Sequence, residues 1–229
     1  MTRTFWKFLC RPARAFLLLL SLSLCLIAAA PAAAQTGPLN RQQALQALAH
    51  ADPTRRLEAM LRLADLGDAA DAGAVMPRLR DADPVLRQFA VGLVWQLWSR
   101  SGDAGIDALF AQGVALMQAG DLPKAVLVFT DIINQRPGFA EAWNKRATIY
   151  FMLDQYELSM KDCDAVLARV PDHFGALSGY AQMAAERGQL ERALGYMERA
   201  HRANPNMANA ELAIEDLRRQ IEIRRKKST

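Results

Sequence analysis

The sequence predicts an all-α fold, a right-handed α-α superhelix in which helical hairpins stack into a solenoid. Three prolines, Pro137, Pro171 and Pro205, stand 34 residues apart, and small and large side chains recur at fixed places between them. Upstream, two Asp-Pro pairs repeat with a second period of 31 residues. A fixed period of about 20 to 50 residues indicates one supersecondary unit per repeat, so we expect one stack through most of the chain.

Residues 1–34 have the three regions of a secretory signal peptide. Four basic residues and no acidic residue accompany an apolar run at 15–30, and a small-x-small pattern at 32–34 follows that run. This order predicts a cleavable signal peptide and therefore a periplasmic location, with no stable membrane span after cleavage. An uncleaved anchor is the alternative, although the apolar run is shorter than the roughly 20 residues that span a bilayer.

The net charge of the chain resides in this first segment. Four of the 28 basic residues and none of the 24 acidic residues lie in 1–34, so the remainder carries 24 of each. The isoelectric point near 9.1 therefore gives no indication of a basic surface on the folded part. Nucleic-acid binding, which requires a basic patch or stripe, is not expected.

The cysteine pattern predicts a fold without internal disulfides. Cys10 and Cys25 lie in the signal segment, so Cys163 alone remains in the mature chain. Cys163 occupies a place where the other repeats carry large apolar residues, and a buried structural thiol is therefore expected. A reactive thiol is the alternative.

Residues 35–102 predict two helical hairpins. Asp52-Pro53 and Asp83-Pro84 each combine an N-cap with a proline in the first turn, which is a helix-start signal. Other residues keep the same offset of 31: Leu45 with Met76, Leu48 with Leu79, Ala51 with Ala82, Arg56 with Arg87, Ala59 with Ala90, Leu63 with Val94, and Leu66 with Leu97. The shared Asp-Pro-x-x-Arg pattern is similar to HEAT-type repeats. A degenerate copy of the downstream unit is the alternative.

Residues 106–207 predict three copies of one 34-residue unit, at 106–139, 140–173 and 174–207. Each has a large apolar residue at its fourth position, a small one at its eighth and a proline at its thirty-second. The eighth position holds Gly113, Ala147 and Ala181, where a small side chain lets two helices approach closely. Because small and large positions recur together, the segment resembles the tetratricopeptide repeat (TPR).

Turn signals predict where each unit divides into two helices. They are Gly120-Asp121, Leu153-Asp154 and Gly188-Gln189. The small, polar stretch at 101–105 separates the two kinds of repeat. We expect it to be a tight joint within one continuous stack, and a hinge is the alternative.

Residues 208–229 predict one more helix with a basic tail. A solenoid needs a capping helix to cover its last apolar face, and this segment is the expected cap. Its cationic end is favourable at a helix C-terminus as a solvated feature. Contact with anionic lipid or with an acidic partner is the alternative.

The resemblance to TPR proteins implies a groove lined by the first helix of each unit. It places ten side chains there: Phe110, Val114, Met117, Asn144, Lys145, Thr148, Phe151, Met152, Ser178 and Gln182. Glu141 and Glu186 fall at groove positions as well. Such a mixed surface suits an extended peptide or a helix. The alternative for Phe110 and Val114 is packing against the neighbouring HEAT-like hairpin.

One specialisation of the TPR family is not implied. Domains that bind chaperone tails clamp a terminal carboxylate at five groove positions, and only Lys145 among the residues at those positions could serve. The other four are Phe110, Val114, Gly175 and Gly179.

No catalytic motif is found in the sequence. Glycine-rich phosphate loops, His-Glu-x-x-His, Gly-x-Ser-x-Gly and Cys-x-x-Cys are all missing. His50, His173 and His201 are scattered near predicted helix ends, where solvated histidines are expected. We therefore expect no cofactor and no metal.

These features together predict a non-catalytic protein–protein interaction scaffold or adaptor of the bacterial cell envelope. A protein or peptide partner is expected in the groove. A regulatory or accessory subunit of an envelope enzyme complex is the alternative, and a hydrolase with carboxylates gathered in the groove is a further one. The sequence leaves the partner, the pathway and the oligomeric state open.

Overall fold

Helices make up most of residues 37–227, the part of the chain that the computed structural model describes. These residues form eleven α-helices and two short 3-10 helices, and no strand is found within them. The α-helices are α1 (Arg41–Ala47), α2 (Pro53–Leu66), α3 (Ala72–Val75), α4 (Pro84–Trp98), α5 (Ala104–Gln118), α6 (Leu122–Gln135), α7 (Ala140–Met152), α8 (Tyr156–Arg169), α9 (Phe174–Glu186), α10 (Leu190–Ala203) and α11 (Ala210–Lys227). The 3-10 helices, Ala69–Asp71 and Met76–Arg80, flank α3. The all-α superhelix predicted from the repeats is confirmed, while the predicted signal peptide lies outside the described residues.

The N-terminal hairpins begin where the Asp-Pro pairs predict. The carboxylate of Asp52 accepts from the Thr54 N–H at 2.9 Å, and that of Asp83 accepts from the Val85 N–H at 2.8 Å. Each N-cap satisfies an otherwise unpaired amide, and the proline that follows it occupies the first helical turn. The two helix starts are confirmed.

The arginine of each Asp-Pro-x-x-Arg sequence makes the same contact in both hairpins. Arg56 Nη1 donates to the carbonyls of His50 and Ala51 at 2.9 and 2.7 Å. Arg87 Nη1 donates to the carbonyls of Asp81 and Ala82 at 2.7 and 3.2 Å. The 31-residue period therefore has a structural basis, since each arginine fixes the chain just before its helix. The HEAT label stays a prediction.

The downstream units each contain two helices joined by a turn with one residue in the left-handed region. Gly120 has φ of 78°, Gly188 has φ of 69° and Asp154 has φ of 55°. Left-handed backbone at a helix end lets the chain reverse, and glycine adopts it without steric cost. The prolines at 137, 171 and 205 each lie two residues beyond the end of α6, α8 or α10. Turns and helix ends are thus where the sequence predicts them.

Gly113 shows why the eighth position of a unit is small. A Cβ on this residue would lie 2.7 Å from Cζ of Phe129, whose ring belongs to the facing helix α6. The ring is fully buried, so it has no space into which to withdraw. The close approach of α5 and α6 therefore depends on this glycine.

Helix α11 covers the end of the third unit. Its Leu217 and Ile221 pack in one buried cluster with Ala184 of α9 and with Leu190 and Ala193 of α10. No helix within residues 37–227 is long and apolar enough to cross a membrane.

The expected continuous stack is wrong at the junction of the two repeat types. The buried core of the N-terminal hairpins includes Phe174 and Leu177 of α9 and Ala200 and Ala203 of α10, which belong to the third unit. It includes no residue of the first unit, whose own core gathers around Phe129. The chain therefore turns at 101–105 and lays its hairpins against the third unit and the end of the second, where Val170 and His173 lie, instead of continuing the row.

Two tryptophans of α4 account for this arrangement. Trp98 stacks on the ring of His173 with 3.9 Å between centroids, and Trp95 meets Phe174 edge-on at 5.0 Å. A Cβ on Gly175 would lie only 2.4 Å from Cη2 of Trp95, so the missing side chain makes room for the indole. We call this contact the docking interface, and the burial of its large aromatic rings supplies a hydrophobic gain.

Candidate functional site

A groove runs along the first helices of the second and third units and along α11. It has a volume of about 620 Å³. Its lining is Asn144, Ala147, Thr148, Phe151, Ser159, Cys163, Gly175, Ser178, Gly179, Ala181, Gln182, Met183, Ala185, Met197, Met207, Ala208, Asn209, Ala210, Ala213, Asp216, Leu217 and Gln220. We call this surface the central groove.

The floor of the central groove is built from small and flexible apolar side chains. Ala147 and Ala181 are the small residues at the eighth positions, and Met183 and Met197 fill the spaces between helices. Methionine adapts its shape to different apolar partners. Burial raises the pKa of the Cys163 thiol to about 12, so the thiol stays protonated near neutral pH. The expected buried structural cysteine is confirmed.

The polar rim on α7 and α9 presents oxygen acceptors. The Thr148 hydroxyl donates to the Asn144 carbonyl and the Ser178 hydroxyl donates to the Gly175 carbonyl, both at 2.9 Å. Asn144 uses its side-chain amide N–H groups on the Glu141 carboxylate at 3.1 and 3.2 Å. Each of these donors is therefore used within the protein, while the hydroxyl and amide oxygens keep lone pairs that can accept further hydrogen bonds.

Residues of α11 form the opposite rim of the central groove, although this helix was expected only to cap the solenoid. Asp216 lies 34 residues after Gln182, which lies 34 after Thr148, so the three share one position of the repeat. The Asp216 carboxylate accepts from Gln220 Nε2 at 2.6 Å, leaving the Gln220 amide oxygen as a further acceptor. The 34-residue period continues beyond Pro205, and this continuation is the sequence signal that identifies α11 as a further lining helix.

A buried polar cluster lies beside the central groove, under the docking interface. Nδ1 of His173 accepts from the Ala176 N–H at 3.1 Å, and its Nε2 donates to Glu141 at 3.0 Å. Lys145 Nζ lies 3.0 Å from the same carboxylate and 5.9 Å from the centre of the Trp95 ring. Burial acts to raise the pKa of Glu141, but the His173 hydrogen bond and the Lys145 charge outweigh it, and the pKa lies below its usual range.

The expectation of a solvated histidine is wrong for His173. Its side chain is fully buried because it caps α9, bonds Glu141 and stacks on Trp98 at once. Glu141 is also withdrawn from the groove, since its side chain is fully buried. Both residues hold the docking interface to the repeat units.

The three proposed groove residues of the first unit do not line the central groove. Phe110 is buried, with its ring 5.6 Å from Phe129 and 5.3 Å from Phe139. Val114 and Met117 are half-buried against the same cluster. The alternative for Phe110 and Val114, packing on the N-terminal hairpins, is also wrong, because those hairpins lie on the third unit. Phe110 instead joins the core between the first and second units.

The remaining seven proposed residues fall into two groups. Asn144, Thr148, Phe151, Ser178 and Gln182 lie together in the central groove. Lys145 lies beside Trp95 and is paired with Glu141, and Met152, 55% exposed, lies outside the lining. Their role in binding stays a prediction.

No group of three or more histidine, cysteine or carboxylate side chains suited to a metal ion occurs between residues 37 and 227.

Comparison with known proteins identifies the downstream units. A family model described as the tetratricopeptide repeat matches residues 110–166 and 161–208. Residues 110–208 carry tetratricopeptide repeats. This agrees with the resemblance seen in the sequence and says nothing of the N-terminal hairpins.

Known proteins and solved structures are similar to parts of this chain. A TPR repeat-containing protein of Rhizobium etli is 33% identical over 120 residues, which are 52% of this chain and 59% of that protein. The TPR domain of Sgt2 from Aspergillus fumigatus is 20% identical, with a TM-score of 0.51, over 56% of this chain and 85% of that domain. The first TPR of Spaghetti (RPAP3), solved with an HSP90 peptide, is 20% identical, with a TM-score of 0.49, over 51% of this chain and 93% of that domain. The chain thus spans about three fifths of the curated relative it matches.

Proposed function

We propose that this protein is a non-catalytic interaction scaffold or adaptor of the bacterial cell envelope, and that it holds a peptide or helix of a partner protein in the central groove. The observation that carries the proposal is the composition of that groove. Acceptor oxygens of Asn144, Thr148 and Ser178 border an apolar floor that has no metal cluster or catalytic motif beside it. Such a surface can bind a chain and offers little for chemistry on it.

The hydrogen-bonding pattern favours a particular kind of occupant. Acceptor oxygens on both rims suit the backbone N–H groups of an extended segment, and the methionine-rich floor suits an apolar side chain. An acidic segment is disfavoured because no side chain that lines the central groove is cationic, and Lys145 beside it is already paired with Glu141 at 3.0 Å. The one carboxylate of the lining, that of Asp216, is paired with Arg219 outside the lining. The proposed ligand is therefore a neutral or basic segment with an apolar anchor.

The location of the protein is part of the proposal. The basic start, apolar run and small-residue end of residues 1–34 support export through a signal peptide, and hence a periplasmic partner.

The binding surface is tested by filling it. A Cβ on Gly179 would meet no atom within 4 Å, and Gly179 lines the central groove, so Gly179→Trp places an indole in the groove from a position whose Cβ has room. Gly195 lies on α10, is equally open and does not line the groove, which makes Gly195→Trp the matched control. Peptides selected from a random display library on the wild-type protein are then titrated against both variants.

We expect the selected peptides to be poor in acidic residues and to carry one large apolar residue. Gly179→Trp should weaken their binding by about tenfold or more, because the indole occupies space that the peptide needs. A tenfold loss is about 1.4 kcal/mol, a small part of a typical binding free energy. Gly195→Trp should leave the binding constant unchanged. Equal binding to both variants, or selection of mainly acidic peptides, would contradict the proposed use of the groove.

A further inference from the structure

A second cleft lies on the seam between the N-terminal hairpins and the third repeat unit, away from the central groove. It has a volume of about 710 Å³. The hairpins contribute Gly73, Met76, Pro77 and Arg80, and the third unit with its preceding turn contributes Asp172, Arg199, Arg202 and Ala203. We call it the arginine cleft. None of its residues belongs to the lining of the central groove.

Three guanidinium groups converge on this cleft without a carboxylate partner. Within residues 37–227, Arg80, Arg199 and Arg202 form no ion pair. By contrast, Arg56 and Arg146 are each bound to a buried aspartate at 2.7 Å. The arginine cleft is therefore a local excess of positive charge within residues 35–229, whose basic and acidic residues are equal in number.

Two of the arginines are held in place while most of their donors stay available. Arg80 Nη2 donates to the backbone carbonyl of Arg202, and Arg199 Nη2 donates to that of Pro171 at 3.5 Å. Arg199 also lies over the Tyr196 ring at 5.4 Å. A guanidinium has five N–H donors, so each of these contacts uses only one of them. Partial fixation lowers the entropy that a ligand must overcome to order the side chains.

We propose that the arginine cleft binds an acidic segment of a partner protein, at a site separate from the central groove. Arginine forks match the two oxygens of a carboxylate, and charge-assisted bonds of this kind are stronger than neutral ones. The apolar floor of Met76, Pro77 and Ala203 gives contact area for a chain, which a small inorganic anion would not use. Asp172 on the rim can accept from a backbone N–H, which a peptide has and a phosphate lacks.

Binding at this seam also couples the two parts of the protein. Asn206 Nδ2 donates to the Leu79 carbonyl at 2.7 Å beside the cleft, so hairpin and repeat unit already meet there. A ligand that contacts Arg80 and Arg199 together binds only the docked arrangement. It therefore raises the apparent stability of that arrangement by mass action.

The proposal is tested with a fluorescent hexaglutamate peptide, capped at both ends, and with hexaglutamine as the neutral control. The wild-type protein should bind hexaglutamate and not hexaglutamine, and its affinity should fall as sodium chloride rises from about 50 to about 500 mM. Arg199→Glu should weaken binding by about tenfold or more. It reverses a charge in the cleft, while the hydrogen bond that it removes joins the third unit to the turn that precedes it and does not involve the hairpins. Arg55→Glu, at an exposed arginine paired with Glu58 and outside the cleft, is the matched control and should bind as the wild type does.

Two further arms decide between sources of negative charge. Inorganic phosphate and vesicles of phosphatidylglycerol with phosphatidylcholine are titrated in the same buffer. Binding of either as tight as that of hexaglutamate, with the same loss in Arg199→Glu, would overturn the assignment to a peptide. Equal binding of hexaglutamate to Arg199→Glu and the wild type, or no binding at all, would overturn the cleft itself. Gly179→Trp should leave hexaglutamate binding unchanged, so failure of the groove proposal is distinguishable from failure of this one.

Discussion

At the scale of the residue, the N-terminal hairpins can dock only because residue 175 is a glycine, which leaves room for Trp95. Trp95 approaches so closely that a Cβ there would lie 2.4 Å from its Cη2 atom. Trp98 stacks on His173, and His173 in turn holds Glu141. These contacts are few, but each involves a buried or large aromatic group, so single substitutions there should have measurable effects.

Gly175→Ala should therefore lower the free energy of unfolding by roughly 1 to 3 kcal/mol, the usual cost of overpacking. The alanine must displace the Trp95 ring or shift α9. Gly179→Ala, one turn further along the same helix, meets nothing within 4 Å. It should raise the stability by up to about 1 kcal/mol because alanine favours helix. Denaturant unfolding followed by tryptophan fluorescence measures both, and equal effects of the two substitutions would contradict the docking interface.

Two buried carboxylates predict the direction of the pH dependence. The hydrogen bond from Arg56 holds the pKa of Asp81 below its usual value of 3.8, and the pKa of Glu141 lies below 4.5. A carboxyl group with a depressed pKa in the folded state stabilises the fold fully above its unfolded pKa and loses this contribution as pH falls through the folded one. The free energy of unfolding should thus decline as pH drops below about 4.5.

Glu141→Gln and Asp81→Asn provide the check on that decline. Each should flatten the acid limb of a plot of unfolding free energy against pH, because the replaced group no longer takes up a proton on unfolding. Their stability at neutral pH should be lower than that of the wild type, since Lys145 or Arg56 loses its carboxylate. An acid limb as steep as that of the wild type in both variants would refute the assignment.

At the scale of the element, the repeats depend on left-handed residues between their paired helices. Gly120, Asp154 and Gly188 occupy the same place in the three units. A residue with a Cβ pays roughly 1 to 2 kcal/mol in this conformation. Asp154 has this backbone strain, which is partly offset by the hydrogen bond that its carboxylate accepts from the Tyr156 hydroxyl at 3.0 Å.

Gly188→Ala should consequently destabilise the protein by about 1 to 2 kcal/mol, even though no atom lies within 4 Å of the new Cβ. Asp154→Gly should be close to neutral, since relief of the left-handed strain offsets the lost hydrogen bond and the greater freedom of the unfolded chain. Thermal unfolding of the two variants measures the contrast. A stable Gly188→Ala protein would mean that the turn can adopt another conformation.

At the scale of the whole molecule, the N-terminal hairpins and the third repeat unit share one core. The N-terminal hairpins lie on the third unit through Trp95, Trp98 and the buried His173, so neither part is expected to unfold independently. Trp98→Ala should remove roughly 3 to 5 kcal/mol, as large-to-small changes in a core do. Hydrogen exchange should then show loss of protection in α4 and at the start of α9 together. Loss confined to α4 would contradict a shared core.

The sequence predicted what local patterns encode and missed what depends on distant contacts. Asp52 and Asp83 predict the starts of their helices, and Gly113 predicts a closely packed helix pair. The contacts of each residue confirm the prediction. The period does not encode which surface receives Trp95 and Trp98, because any apolar face would bury them. His173 was assigned to solvent for the same reason, since its partners Trp98 and Glu141 are remote in the chain. The contribution of α11 to the groove was encoded, in the 34-residue spacing of Thr148, Gln182 and Asp216.

The proposed interaction role is tested most directly by site-specific photo-cross-linking in the native host. A photoreactive amino acid at Ser178 lies in the central groove, and one at Leu127, which is 68% exposed, lies on a surface outside it. We predict a discrete cross-linked partner from position 178, none from position 127, and loss of the first cross-link when Gly179→Trp is added. Cross-links from position 127 alone, or a product at 178 that persists with the groove filled, would contradict binding in the central groove.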